Sequence, residues 1–394
     1  MKQKNIVLYI LISIFTLILF LPGINKPFFG HHDFNSVFYS QIAKNYLRYG
    51  LIKTRGAQIV NGGAVASKDW QLHTHHPATY PLILSLFFYT LGVQEWVARV
   101  VSIIASVIMI IYLSKTTLNK LAFLPLLFTP LFLYYGKLPV FEPLILASIS
   151  ITLFAYSKKH YQIFFISTLI GIMIDWPGYW PVIWIITLEI LTNNKDWKII
   201  KISFASITLG TFLILLHQFI ITGTFLKSLF EIGDYRLSFN NQPYTNYLWI
   251  KVLAERAKAF FGLPLLISSL IGVIIAINKR INIKLILLTF LIAISHVLVF
   301  RNITWYHDYM LYYSIPFVVL TTAIFINYLS KKVSFLNQFI IISFLVISTY
   351  LTTNKFYKAL ASLPECKNVE NNLSEEVKEN NCERFRIFYA DKLK

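Results

Sequence analysis

Charged side chains are scarce. Asp, Glu, Lys and Arg supply 14% of the 394 residues, where a soluble domain carries roughly 25%, so an ordinary water-soluble fold is excluded. Acids are the scarcer sign, 18 against 36 bases. Ten-residue segments of alternating polarity are missing too, and with them the β-barrel way of crossing a membrane. The first apolar run, Ile6 to Pro22, is followed by Gly23-Ile24-Asn25-Lys26-Pro27 and by no small-residue cleavage pattern. It is therefore read as a retained first helix, not a removed leader. No continuous basic face accompanies the net charge of +18. The bases sit mostly at the ends of apolar runs, where they set topology and meet anionic headgroups. Membrane lipid is an expected partner and nucleic acid is not. No internal repeat or low-complexity tract is visible.

What is present is apolar: 56% of residues are hydrophobic and the mean hydropathy is +0.60. Runs near the roughly 20 residues needed to cross a bilayer recur from end to end. In lipid they fold as helices, because each backbone donor and acceptor must be satisfied within the segment. Short loops rich in Lys and Arg belong in the cytoplasm. With Lys2 and Lys4 inside, that rule threads eleven helices, at about 5–22, 95–114, 121–136, 143–157, 161–174, 178–193, 202–222, 259–277, 285–300, 309–329 and 335–352. The inward turns then carry Lys115, Lys158-Lys159, Lys195, Lys279-Arg280 and Lys331-Lys332.

Two long polar segments, 23–94 and 223–258, fall outside, as does a tail over 353–394. In the first, Phe34–Tyr49 reads as an amphipathic helix with Val37, Phe38, Ile42 and Tyr46 on one face. The apolar stretch Pro77–Leu91 is short for a span, and counting it as one would turn Lys158-Lys159 and Lys331-Lys332 outward. It is placed at the outer interface or as a partly re-entrant helix. The expected fold is thus an all-α, multi-pass integral membrane protein of the plasma or inner membrane. Residues 1–352 form its transmembrane domain and 353–394 an extracytoplasmic tail. Cys366 and Cys382, both in that tail, are expected to form a disulfide, since oxidising compartments preserve such bonds.

This threading puts Asp33, His73, His75, His76, Glu142, Asp175, Asp234, His307 and Asp308 on the outer side. Ionisable groups are costly at membrane depth and tend to line a pathway or a site, so an outward-facing cavity above the bundle is expected. Each residue also has a plainer reading. Asp33 is placed to cap the helix that begins at Phe34, and Glu142, before Pro143, to start another. Asp175 caps a helix end beside an interfacial Trp176. Asp234 and Arg236 pair on a solvated loop. Arg301, His307 and Asp308 bracket an aromatic belt of Trp305, Tyr306 and Tyr309, for which anchoring is the default and substrate contact the sharper reading. His73, His75 and His76 invite zinc, but their loop lacks regular ligand spacing and a nearby Cys.

Taken in order, His31-His32-Asp33, Tyr39–Ala43, His76-Pro77-x-x-Tyr80-Pro81, Glu95–Arg99 and Phe141-Glu142-Pro143 resemble the polyprenyl-phosphate-sugar-dependent glycosyltransferases of the GT-C fold. Within these the chain is most similar to glycosyltransferase family 39, the group of the protein O-mannosyltransferases and bacterial aminoarabinose transferases. The resemblance covers roughly residues 1–190. It implies transfer of a single sugar from a polyprenyl-phosphate donor to a lipid, glycan or protein acceptor outside the cytoplasm. It places the acid that acts at the sugar carbon on Asp33, a second acid on Glu142, and the basic position before the interfacial helix on His76, with His75 beside it. Family members often carry Asp-Glu where this chain has Asp33-Phe34, which weakens the case for a metal held by adjacent carboxylates. The cofactor expectation stops at a divalent cation, with Asp33 and Glu142 as its ligands.

The chemistry suits these residue types. A lipid phosphate is already a good leaving group, so no general acid is needed, unlike glycoside hydrolysis with its two carboxylates. Asp33 would take the acceptor's proton while cations hold the departing phosphate. His76, Arg99 and Arg301 are the expected phosphate partners, followed by His307, and Tyr80 and Asp175 complete the expected lining. A transporter or flippase of lipid or glycan is the alternative. Against it, the polar residues cluster on one side instead of at midplane helix breaks, and no inverted repeat is seen. A non-catalytic scaffold would not need Asp33.

Overall fold

Long runs of Ile, Leu, Phe and Val dictate helices, and Pro, Gly and capping residues decide where they stop. The computed structural model describes residues 2–28, 30–117, 123–193, 195–225, 230, 244–361 and 387–391. The Cys366–Cys382 disulfide and the Asp234–Arg236 pair lie outside them. The chain opens with α1 (Lys2–Phe20), α2 (Asp33–Tyr49) and α3 (Leu51–Thr54). A two-stranded antiparallel ribbon follows, β1 (Gln58–Ile59) with β2 (Leu72–His73), Gln58 opposite His73. Next come α4 (Thr79–Leu91) and α5 (Glu95–Thr116). The amphipathic helix expected over 34–49 therefore forms, with Val37, Ile42 and Tyr46 buried, and so does the short helix expected at 77–91.

The helix expected at 121–136 does not form in one piece. Pro125 and Pro130 each lack an N–H, and Thr129 starts a new turn by accepting from the Phe132 amide. The result is α6 (Leu124–Leu127), α7 (Pro130–Leu133) and a 3-10 turn, Tyr135–Lys137. After them, α8 (Glu142–Lys158) leaves at 115° to the 130–137 segment. Then come α9 (Tyr161–Ile174), α10 (Tyr179–Leu191) and α11 (Trp197–Thr222). The polar segment expected at 223–258 contains a helix, α12 (Asn246–Phe261). Its Trp249, Phe260 and Phe261 are buried, while Lys251, Glu255 and Lys258 conceal it from a hydropathy reading. Gly262, at φ +74, turns the chain by 102° into α13 (Leu263–Lys279). The remainder is α14 (Ile283–Val299), α15 (Arg301–Tyr306), a 3-10 stretch Asp308–Ser314, α16 (Ile315–Ser330) and α17 (Phe335–Ala361). The last helix overruns the boundary expected at 352, because Phe356 and Tyr357 pack on Tyr134 and Tyr135.

Among the described residues, four helices are long and apolar enough to cross a membrane, or six if each bent pair is one span. The expectation of eleven spans is met only in part. Helices such as α9 and α10, of 14 and 13 residues, fall short of the roughly 20 needed to cross alone. Close crossings are built on small and hydroxylated residues, as lipid-embedded helices require. A Cβ on Gly272 of α13 would lie 1.9 Å from the Thr321 carbonyl of α16, and Ser269 and Thr321 share a hydrogen bond of 2.6 Å at the same contact.

Polar groups segregate to the two ends of the bundle. At one, Lys115 lies over the Tyr9 and Phe154 rings, Lys159 meets Asp196 at 3.6 Å, and Lys284 meets Glu189 at 2.6 Å. The other end gathers the starts of α2, α5 and α8 with the end of α9, which carry Asp33, Arg99, Glu142 and Asp175.

Candidate active site

The loop between α1 and α2 is the centre of the polar end. Gly30 donates its amide to Asp33 Oδ2 at 2.7 Å, and Ser36 donates its hydroxyl to Asp33 Oδ1 at 3.1 Å. His32 holds the cap position in the left-handed region, φ 60, so Asp33 is the first helical residue with its carboxylate turned back on the loop. A Cβ at position 30 would lie 2.8 Å from the Tyr134 hydroxyl and 3.0 Å from Asp33 Oδ2, so a larger residue there would push those side chains aside.

Asp33 faces a cavity of about 680 Å³. Its polar wall carries Asp33, Lys26, Arg99 and Lys137, and its apolar wall includes Leu19, Phe128, Tyr350, Tyr357 and Leu360. Arg99 donates to the carbonyls of Ile24 and Lys26 and stacks on Phe28, which ties the loop to α5. Lys137 donates to the Pro22 carbonyl at 2.6 Å.

A second, smaller chamber of about 80 Å³ is lined by His76, Glu142, Asp175, His307, Asn35 and Tyr309, among others. His76 Nδ1 pairs with Asp175 Oδ1 at 2.6 Å, both side chains largely buried. Thr79 donates to the Met173 carbonyl and Trp176 to that of His75, which locks the 73–79 loop onto the end of α9. Glu142 is only 2% exposed at the start of α8.

Between the two cavities stands a cluster built on Asp308. His31 Nε2 meets one of its oxygens and His32 Nε2 the other, each at 2.9 Å. Tyr135 donates to the same carboxylate at 2.8 Å. His31 lines the larger cavity, while the His32 ring packs on His307 and Tyr309 of the smaller one.

The expected site residues therefore divide. Asp33 and Arg99 come together at the larger cavity, and His76, Glu142, Asp175 and His307 at the smaller. Tyr80 is buried with its ring edge-on to Tyr39, and His75 meets the site through its backbone carbonyl. Arg301 lines neither cavity; it donates to Asn246 and lies 4.6 Å from the Trp249 ring centroid. Asp33 and Glu142, the expected ligand pair for a cation, line different cavities. Among the described residues the group with metal-binding spacing is His31, His32 and Asp308, their ligand atoms within 4.8 Å of one another. Sequence reasoning missed Lys26 and Lys137, which look like ordinary flanks of apolar runs. It also missed the partnership of Asp308 with residues 276 and 277 positions away.

The sequence matches no protein-family model and no curated protein. Among solved structures the chain is similar to ArnT from Cupriavidus metallidurans. The crystal structure of that protein bound to undecaprenyl phosphate aligns with a TM-score of 0.62 at 11% identity, over 99% of this chain and 75% of that one. Its apo crystal structure aligns with a TM-score of 0.48 at 12% identity, over 86% and 62%. The likeness to the lipid-bound structure fixes the architecture: this chain is an α-helical membrane protein of the GT-C fold.

Proposed function

We propose that this chain is a membrane glycosyltransferase that moves a single sugar from a polyprenyl-phosphate donor to an acceptor outside the cytoplasm. The observation that carries this reading is the larger cavity, in which three cations and one carboxylate face an apolar, aromatic wall. An anionic headgroup on a long hydrocarbon chain has the matching polarity. Undecaprenyl phosphate, the lipid in the similar crystal structure, is a molecule of that kind.

In this reading Lys26, Arg99 and Lys137 hold the phosphate, and the prenyl chain lies along Leu19, Phe128, Tyr350 and Leu360. The acceptor oxygen attacks the sugar's anomeric carbon as the bond from that carbon to the phosphate oxygen breaks. The phosphate leaves with the bonding pair, and its charge is met by the three cations. Asp33, oriented by Gly30 and Ser36, takes the acceptor's proton. The smaller chamber, with His76, Asp175, Glu142 and His307, binds the acceptor or the sugar hydroxyls. The acceptor is a lipid, a glycan or a protein. The basic turns at the opposite end, Lys115, Lys159 and Lys284, support a cytoplasmic position for that end in this reading. Both cavities then face outward from a plasma or inner membrane.

The test is incubation of the purified chain with radiolabelled polyprenyl-phosphate sugars and envelope lipid, glycan and protein acceptors. Label moving into an acceptor is the expected result. Donor bound and carried across vesicle membranes with no new glycosidic bond would instead identify a flippase.

A further inference from the structure

We propose that Phe388 and Tyr389 are positioning residues for the larger cavity: docking of segment 387–391 holds the α1–α2 loop where Lys26 and Asp33 face the donor's phosphate. The coupling to phosphate rests on the proposed function; the clamp on the loop does not.

The loop needs a hold from outside itself. It carries Lys26, Gly30, His31 and Asp33 into the cavity wall, yet residues 21–27 form only turns and irregular chain, and none of them is fully buried. Segments with little buried apolar surface open at small cost. Phe28 is the exception, with no exposed surface. Its amide donates to the Tyr389 hydroxyl at 2.7 Å, across 361 residues of sequence. The Phe388 ring lies 5.9 Å from its ring centroid, and the Arg99 guanidinium 4.8 Å.

Tyr389 does more than hold an amide. Its hydroxyl also donates at 3.0 Å to Glu95, the first residue of α5. Arg99 stands one turn further along that helix and donates to the carbonyls of Ile24 and Lys26. The loop is thus stapled to α5 twice, once by Arg99 and once through Tyr389. Holding Arg99 and the Lys26 backbone together sets the spacing of two of the three cations in the cavity. The segment is seated elsewhere as well. Ile387 packs so closely on Gly62 that a Cβ there would come within 2.0 Å of its Cγ2. Gly62 belongs to neither the loop nor the cavity wall, so a change there moves the segment alone. If docking favours phosphate binding, phosphate binding favours docking by the same factor.

The experiment uses the full chain in detergent with undecaprenyl phosphate as the probe. Hydrogen exchange is read on peptides covering 21–33 and 387–391, and lipid affinity on the same samples. Tyr389→Phe deletes the acceptor of the Phe28 amide, where exchange should rise about 10-fold. Tyr389→Phe and Gly62→Ala should each weaken lipid binding about 5-fold or more, and in wild type the lipid should protect 387–391 by a comparable factor. Gly272→Ala, which strains the α13–α16 contact, should lower the melting temperature and leave lipid affinity unchanged, which separates positioning from lost stability. Unchanged exchange at Phe28 in Tyr389→Phe would overturn the clamp. Unchanged lipid affinity in a Gly62→Ala chain whose 387–391 exchange shows release would overturn the coupling. A loop loosened by Tyr389→Phe in a protein that binds no undecaprenyl phosphate would support the clamp while counting against the phosphate reading of the cavity.

Discussion

Asp391→Asn should release the C-terminal segment from the site. Residues 387–391 lie on α2 and on the loop before it. Arg48 grips the Asp391 carboxylate with both terminal nitrogens, Gln41 donates to it at 2.6 Å, and Lys44 donates to the carbonyls of Phe388 and Asp391. Phe388 is buried against Phe28, and the Tyr389 hydroxyl accepts from the Phe28 amide while donating to Glu95. The Arg48 and Asp391 side chains are 10% and 3% exposed, so this is a buried pair. Removing one partner of such a pair costs about 3 to 5 kcal/mol. At the lower figure the ratio of docked to undocked tail falls roughly 150-fold, at 1.36 kcal/mol per decade. Burial alone would raise the Asp391 carboxyl, but the Arg48 and Gln41 hydrogen bonds and the Lys44 charge outweigh it and hold the group below its usual range. A carboxyl whose docked pKa is depressed stabilises docking at every pH above its free value of about 3.9, and loses that contribution as pH falls through the docked value. Docking should therefore be flat from neutral pH down to about 5 and fail only in stronger acid. Hydrogen exchange on peptides covering 387–391 and 36–48 is the assay. Unchanged protection in the variant would refute the reasoning.

Three further outcomes follow from the same geometry. Lys137→Met removes one of the three cations that face the larger cavity and should weaken polyprenyl-phosphate binding roughly 10-fold or more in a fluorescence titration, as loss of a hydrogen bond to a charged group does. Gly272→Ala drives a Cβ into the Thr321 backbone and should cost about 1 to 3 kcal/mol, seen as a lower melting temperature. Gly210→Ala meets side chains only, Ile172 first, and should cost less.

Hydropathy and the distribution of Lys and Arg made the helical membrane fold legible, and the period of Val37, Ile42 and Tyr46 made α2 legible. Pro125 and Pro130 were in plain view, but apolar residues around them masked the break. In α12 the charges at Lys251, Glu255 and Arg256 hid a helix whose buried face is aromatic. Asp33 and Arg99 were readable as members of an ordered set of motifs, and the structure brings them to one cavity. Lys26 and Lys137 were not, because nothing in a one-dimensional reading brings the end of α1 next to the turn before α8. The same holds for Asp308 with His31 and His32 and for Asp391 with Arg48, pairs made by tertiary packing alone.

The central claim is that Asp33 takes the acceptor's proton during sugar transfer. Its most direct test is single-turnover transfer from a radiolabelled polyprenyl-phosphate sugar by wild type and Asp33→Asn, with donor binding measured on the same samples. Loss of transfer by a factor of about 10² to 10⁴, with the donor still bound, is the predicted result. Undiminished transfer by the variant would contradict it and move the role to Glu142.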